Sequence, residues 1–444
     1  MDRRHFLRIA GASALGVNAA LVACGGGGTD AIVPPGSGSA VGTAPTTPPP
    51  PGPAAKSRVI VIGGGMAGAT VAKYLRHWGD AIDVTLIERS SSYTSNILSS
   101  LVLTGQRSIG SLAYGYDALK VSYGINVVFG EVMAVDPVGV KVTLAGGQTL
   151  SADRIVLAPG IDFELTPGLT SFDAMPHAWK AGPQTTLLAS QLQAMRAGGT
   201  VILTIPKTPY RCPPGPYERA CLLADWLKIQ KPWSKLIVLD ANPDFASEKD
   251  NFSNAFLGLH GGVIEYHNNA EVTQADPASM SVLTPGGTFR GDVINLIPRQ
   301  RAGALLATAG LANATEGRFG GVNVLSYAST VPGAEKVHII GDASATTQPK
   351  AGHIANQEAK VCADAIIRLL AGGQPDPSPV TNSSCYSTIT MSQASWLHAV
   401  FQYDPAARSM VAVPSGTGAS AGWSGGDFKD MNTWFNALMA DSFA

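Results

Sequence analysis

A run of β-branched residues that ends in a glycine-rich loop, a helical pattern behind it, and two later strand patterns that also end in glycine predict an α/β fold. A second strand–helix–strand unit lies between these strands. Together they predict two Rossmann-like domains in one chain, with residues 376–444 left for a small C-terminal domain.

The first unit reads RVIVIGGGMAGATVAKYLRHWG. Val59 to Ile62 is a buried-strand pattern, and Gly63-x-Gly65-x-x-Gly68 leads from it into a helix. Gly63 makes the tight turn, Gly65 lets a pyrophosphate approach the backbone, and Gly68 lets the helix pack on the strand. The helix N-terminus adds amides and a partial positive charge. The next strand, DVTLIER, ends at Glu88, 20 positions after the last glycine, where a carboxylate holds adenosine ribose hydroxyls. Strand, loop, helix, strand and carboxylate in that order make a dinucleotide-binding fingerprint.

Two later strands identify the dinucleotide. ADRIVLAPGIDFE ends at Gly160 and reads as a return crossing under the cofactor, and EKVHIIGDAS ends in Gly341-Asp342. In that order they favour FAD over NAD, with the Asp342 carboxylate on the ribityl chain. Taken alone, Asp342 would be a turn residue. In QPKAGHIANQEAK, Lys350 and His353 open a helix whose N-terminus is expected to face the flavin, its dipole favouring the reduced anion.

The second unit has GTVILTIP as its strand, CLLADWLKIQKP as its helix and KLIVLDANP as its return strand. Its turn is PYRCPPGPYERA, without a glycine fingerprint, and prolines 213, 214 and 216 remove amide donors that a pyrophosphate needs. The expectation is that the nicotinamide site has been lost. Cys212 occupies the ligand-facing end of this junction, the edge at which open α/β sheets bind ligands. Cys212 and Cys385 are both expected outside regular structure, whereas Cys221 and Cys362 sit in apolar helical patterns suited to core thiols.

Charged residues make up only 14% of the 444-residue chain and the net charge is −1, which speaks against a nucleic-acid partner. RRHFLR, with Arg3 and Arg4, followed by IAGASALGVNAALVA reads as a twin-arginine export signal. Leu21-Val22-Ala23-Cys24 resembles a lipobox, so the chain is expected in the periplasm, with Cys24 either a lipid anchor or an incidental cysteine of an ordinary signal peptide. The expected boundaries are 1–24 for the signal and 25–56 for a Gly/Pro/Thr-rich linker. The flavin domain takes 57–165 and 297–375, the second domain 166–296, and the C-terminal domain 376–444. The chain carries neither a zinc spacing nor the C-x-x-C-H of a c-type haem.

With MPHAWKAG (175–182), YRCPPGPYERA (210–220), DVINLIP (292–298), HIIGDAS (338–344) and SSCYS (383–387) assembled, the chain resembles the flavoprotein subunit of flavocytochrome c sulfide dehydrogenase. That family is related to the sulfide:quinone oxidoreductases. The resemblance implies that sulfide is oxidised at a redox-active Cys212–Cys385 pair beside FAD, with electrons passed to a c-type cytochrome. A purely structural 212–385 bridge or a 212–221 pairing is the alternative in an exported protein. The resemblance also places Trp434 near the flavin. Glu218 is a candidate proton acceptor, although an acid in the first turn of a helix also serves the dipole. Members with covalent FAD carry a cysteine where SSYTSNILSS has Ser95, so the flavin is expected to be held non-covalently. Two rival functions are a sulfide:quinone oxidoreductase and a non-catalytic FAD protein that binds a sulfur-oxidation partner.

Overall fold

The structure, a computed structural model, describes residues 57–80 and 82–444. The expected signal, Cys24 and the linker lie outside the described residues. β1 (Ser57–Ile62) turns at Gly63 into α1 (Met66–Trp78), and the chain returns as β2 (Ile82–Glu88). β3 (Asn126–Phe129) and β4 (Arg154–Leu157) extend the sheet. β1 lies parallel between β2 and β4, with Val59 opposite Val84 and Arg154, and β3 joins the far side of β2.

The chain then leaves for a second sheet. β5 (Thr200–Ile205), α2 (Gly215–Gln230), β6 (Lys235–Asp240), α3 (Lys249–Ser253), β7 (Ile264–His267) and β8 (Val293–Asn295) follow in turn. The strands are parallel in the order β7-β6-β5-β8. β9 (Val337–Ile339) rejoins the first sheet beside β4 and leads to α4 (Gly352–Leu370). β10 (Val380–Thr388), β11 (Ala394–Asp404) and β12 (Ser409–Ala412) form an antiparallel sheet that ends in α5 (Gly425–Phe443). This is the expected α/β architecture: two parallel-sheet domains of Rossmann type and a small C-terminal domain.

Small residues set the first core. Ala67, Ala69 and Ala72 of α1 and Ala355, Ala359 and Ala363 of α4 share one buried cluster, into which α5 inserts Phe435, Leu438, Met439 and Phe443. The last turn of α5 is also fixed by polar contacts. Asp441 accepts from Tyr74 (2.5 Å) and Asn356 (2.7 Å) and pairs with Lys360 at 2.8 Å. The C-terminal helix is therefore built into the flavin domain.

Two local expectations are corrected. α2 begins at Gly215 and takes in PYERA, because prolines in a first helical turn lose only amides that have no partner there. Cys385 lies mid-strand in β10, opposite Leu397. Its strand has no apolar alternation because the inward residues Thr381, Ser383 and Ser387 are buried hydroxyls; that of Thr381 accepts from Gln348 (2.6 Å) and that of Ser387 donates to Glu248 (2.6 Å).

Candidate functional site

Residues just beyond the carboxyl ends of β1, β4, β9 and β5 line one cleft of about 1200 Å³, its mouth included. Gly65, Gly160, Gly341 and Asp342 come from the first sheet, Arg211, Cys212 and Glu218 from the second, and Cys385 and Trp434 from the C-terminal domain.

The fingerprint loop is shaped by contacts that leave no room for side chains. Gly63 has φ +98°, and a Cβ there would lie 2.3 Å from the Ala158 carbonyl oxygen. A Cβ on Gly68 would lie 1.7 Å from the Gly63 carbonyl oxygen. At Gly65, by contrast, the nearest atom is a ring carbon of Tyr93 at 3.7 Å, so that backbone is open to the cleft. Glu88 does not line the cleft. Its carboxylate accepts from the N–H groups of Gly64 (2.6 Å) and Ser90 (3.0 Å), bracing the loop from the end of β2.

The Gly-Asp turn is held from behind. Gly341 has φ +69° and donates its N–H to Glu358 at 2.7 Å. Two buried polar atoms on this side of the cleft have no protein partner: Oδ1 of Asp342 and Nε1 of Trp434. An acceptor and a donor left unpaired in a cleft wall, beside an open fingerprint loop, fit a polyhydroxylated dinucleotide with a heteroaromatic ring. The residues present therefore fit FAD.

Lys350 differs from its expectation as a flavin contact. Its ammonium donates to the Ser344 carbonyl at 2.6 Å and lies 3.9 Å from the centre of the Phe319 ring, outside the cleft wall. Ala351, Gly352 and His353 line the cleft in its place, at the start of α4. His353 accepts from the Ser384 N–H through Nδ1 at 3.0 Å, and burial lowers its pKa to about 4.

Cys212 adopts φ +59°, donates its N–H to the Lys350 carbonyl (2.6 Å) and accepts from Gly215 (2.9 Å). Cys212 and Cys385 both line the cleft, and both are free thiols. So are Cys221 and Cys362, which are fully buried in α2 and α4, and neither the 212–385 nor the 212–221 bridge is present. Burial pushes the Cys212 thiol well up, its neighbour Cys385 adds to this, and Arg211 opposes it. Burial likewise raises Cys385 to about 12, with Glu248 contributing.

Glu218 sits in the first turn of α2, reaches the cleft and accepts from Thr388 Oγ1 at 3.3 Å. Removal from water raises its pKa to about 8, against the pull of Arg219. Arg219 also lines the cleft but is held within the protein: it is buried, donates to Asn295 (2.9 Å) and the Ala178 carbonyl (2.8 Å), and stacks on Trp179. Arg211 is a residue that sequence reasoning missed. Its guanidinium lies between Asn96 Oδ1 (3.1 Å) and Asp342 Oδ2 (3.7 Å), and its place beside Cys212 was the available signal.

Three family models match the chain. Residues 57–187 match the pyridine nucleotide-disulphide oxidoreductases, residues 185–298 the central part of the sulfide dehydrogenase (flavocytochrome c) flavoprotein chain, and residues 377–443 the flavin-binding part of flavocytochrome c sulphide dehydrogenase. Among solved structures, the chain is similar to the sulfide:quinone oxidoreductase of the hyperthermophilic bacterium Aquifex aeolicus. The TM-score is 0.71 at 17% identity, over 87% of this chain and 91% of that one. It is also similar to an NAD-dependent persulfide reductase from A. fulgidus, with TM-score 0.60 at 14% identity over 86% of this chain and 77% of that one. A ferredoxin reductase from Rhodopseudomonas palustris gives TM-score 0.58 at 18% identity, over 79% of this chain and 89% of that one. At these identities the structures speak for the fold, and the family models carry the assignment. The matched stretches make the chain a flavin-dependent oxidoreductase whose central and C-terminal parts are of the sulfide dehydrogenase type, with FAD as its cofactor.

Proposed function

We propose that this chain oxidises hydrosulfide at Cys212 and Cys385 and delivers the electrons through FAD to a c-type cytochrome. The observation that carries the reading is the meeting of two thiols, from the second and the C-terminal domain, in the cleft that holds the fingerprint loop. Gly63, Gly65 and Gly68 would cradle the pyrophosphate, Asp342 and Trp434 would supply the acceptor and the donor, and bound FAD supplies a two-electron sink.

The two free thiols are the reduced form of the pair, and loss of two electrons and two protons joins their sulfurs. Hydrosulfide attacks one sulfur of that disulfide, the S–S bond breaks, and a persulfide forms on one cysteine while the other leaves as a thiolate. The thiolate and the persulfide rejoin as the disulfide, releasing one sulfur atom, one proton and two electrons. Glu218 takes the proton, and its raised pKa suits an acceptor that must also release it near neutrality. Arg211 holds negative charge at the Cys212 sulfur. The prolines that replace the glycine loop of the second unit argue against NADH as donor. The same reading places the protein in the periplasm, exported by the twin-arginine route and tethered through Cys24.

Anaerobic sulfide titration of the FAD-loaded protein tests the proposal. Sulfide should bleach the flavin band, NADH should not, and Cys212→Ser should abolish the bleaching. Reoxidation by cytochrome c rather than by a quinone analogue identifies the acceptor. A flavin that stays oxidised in excess sulfide overturns the reading.

A further inference from the structure

One acid that the mechanism above does not use is hydrogen-bonded to the strand that carries Cys385. Glu248 immediately precedes α3 and holds φ +45°, a left-handed conformation costly for a non-glycine residue. Its carboxylate accepts Ser387 Oγ and Ser395 Oγ at 2.6 Å each and Asn251 Nδ2 at 3.4 Å. Ser387 and Ser395 face each other across β10 and β11, and both are fully buried. The next residue after Ser387 is Thr388, whose hydroxyl donates to Glu218 at 3.3 Å. Four consecutive residues of β10 therefore carry the Cys385 thiol and the hydroxyls bound to both carboxyl groups. Glu248 itself remains partly exposed, beside the exposed Lys249 and Asp250.

We propose that Glu248 is a positioning residue for the sulfur chemistry: a second acid, coupled to Glu218 through the Ser387–Thr388 edge of β10, that sets when Glu218 holds or releases its proton. The proposal rests on the sulfide-oxidation reading for its role, but the coupling itself stands on the geometry. The charged and titratable groups facing Glu218 are Arg219 and Cys221 on α2, Cys212 before it, Cys385 on β10 and Glu248 before α3. Of these, Glu248 is the carboxylate with a surface outlet, so a proton taken up in the cleft can be balanced there without crossing the flavin. A purely structural role, clasping the C-terminal sheet to the second domain, would affect stability alone.

The test follows the infrared C=O band of protonated Glu218 against pH in the FAD-loaded protein without sulfide, with Glu218→Gln identifying the band. Glu248→Gln should shift the midpoint of that titration down by roughly half a pH unit, because a negative charge facing Glu218 has been removed. Glu248→Asp should restore it. Ser387→Ala, which removes one donor that keeps Glu248 ionised, should shift it in the same direction by less, and serves if Glu248→Gln fails to fold. An unmoved midpoint in the folded variant overturns the proposal, even if its melting temperature falls. A shifted midpoint in a protein whose flavin ignores sulfide would keep the coupling and reject the sulfide reading, so the two fail separately.

Discussion

The backbone N–H of Cys212 donates to the carbonyl oxygen of Lys350 at 2.6 Å, tying the loop before α2 to the loop before α4. Cys212 makes this bond at φ +59°, where a non-glycine residue pays roughly 1–2 kcal/mol. A glycine would sit there without strain, so the side chain is kept against a local backbone preference, as is common at functional sites.

Substitutions at Cys212 separate strain from chemistry. Cys212→Ala keeps the strained backbone and removes the sulfur, whereas Cys212→Gly removes both. The glycine variant should be the more stable by roughly 0.5–1 kcal/mol in urea unfolding, after allowing for the greater freedom of glycine in the unfolded chain. Both should lose sulfide-driven bleaching. Equal stabilities would remove the strain argument.

Glu218 gives the site its pH dependence. Its pKa rises from 4.5 in an exposed chain to about 8 in the fold, so the folded state binds the proton more tightly. The sign follows from linkage: this group's stabilising contribution is complete below about 4.5 and is lost as pH rises to about 8. Glu218→Gln should flatten that slope and melt higher than the parent at pH 9. It should also remove the limb near pH 8 from the rate of flavin reduction, leaving only the titration of the substrate. A Gln variant with the parent's melting profile would mean that Glu218 stays ionised in the fold.

The flavin half of the site was legible in the sequence because its constraints are steric and local. Gly63, Gly68, Gly160 and Gly341 mark backbone positions that need a positive φ or a close approach, and such positions show up in residue type. The strand at Cys385 was not legible, because its inward face is satisfied by hydroxyls whose partners, Glu248 and Gln348, are far away in sequence. Lys350 looked like a helix-start cation near a flavin, but its ammonium found the Ser344 carbonyl and the Phe319 ring. Glu88 shows a third pattern. It stands where the fingerprint predicts, yet its carboxylate is engaged by the amide of Gly64 in the loop and by that of Ser90 just after β2.

Asp342 and Trp434 should contribute unequally to FAD affinity. The unpaired Asp342 oxygen offers a charge-assisted bond of about 1.5–3 kcal/mol, which corresponds to roughly 10- to 150-fold in affinity. The Trp434 N–H offers a neutral bond of about 0.5–1.5 kcal/mol, or roughly 2- to 12-fold. Equilibrium dialysis of Asp342→Ala and Trp434→Phe should return that ranking. Wild-type affinity in Asp342→Ala would mean that the carboxylate faces something other than the cofactor.

Ser95 bears on how the flavin is held. It is fully buried, its hydroxyl donates to the Ile97 carbonyl at 3.2 Å, and it does not line the cleft, although Tyr93, Asn96 and Ile97 do. A hydroxyl engaged in this way offers no thioether, so acid precipitation of the holoprotein should release all of its FAD to the supernatant. Flavin that stays with the pellet would locate a covalent link elsewhere in the chain.

The fingerprint glycines should separate folding from binding. A methyl group at Gly68 would meet the Gly63 carbonyl oxygen at 1.7 Å, and neither backbone can yield without parting α1 from β1. Gly68→Ala should therefore lower the melting temperature of the FAD-free protein itself. A methyl group at Gly65 meets nothing closer than the Tyr93 ring at 3.7 Å, so Gly65→Ala should fold and melt like the parent without FAD. It should nevertheless bind FAD more weakly, because the methyl occupies the space through which a pyrophosphate reaches the α1 amides. Melting curves of both variants with and without FAD check this. If Gly65→Ala gained as much from FAD as the parent does, the pyrophosphate would not lie over Gly65, and the cofactor would sit elsewhere in the cleft.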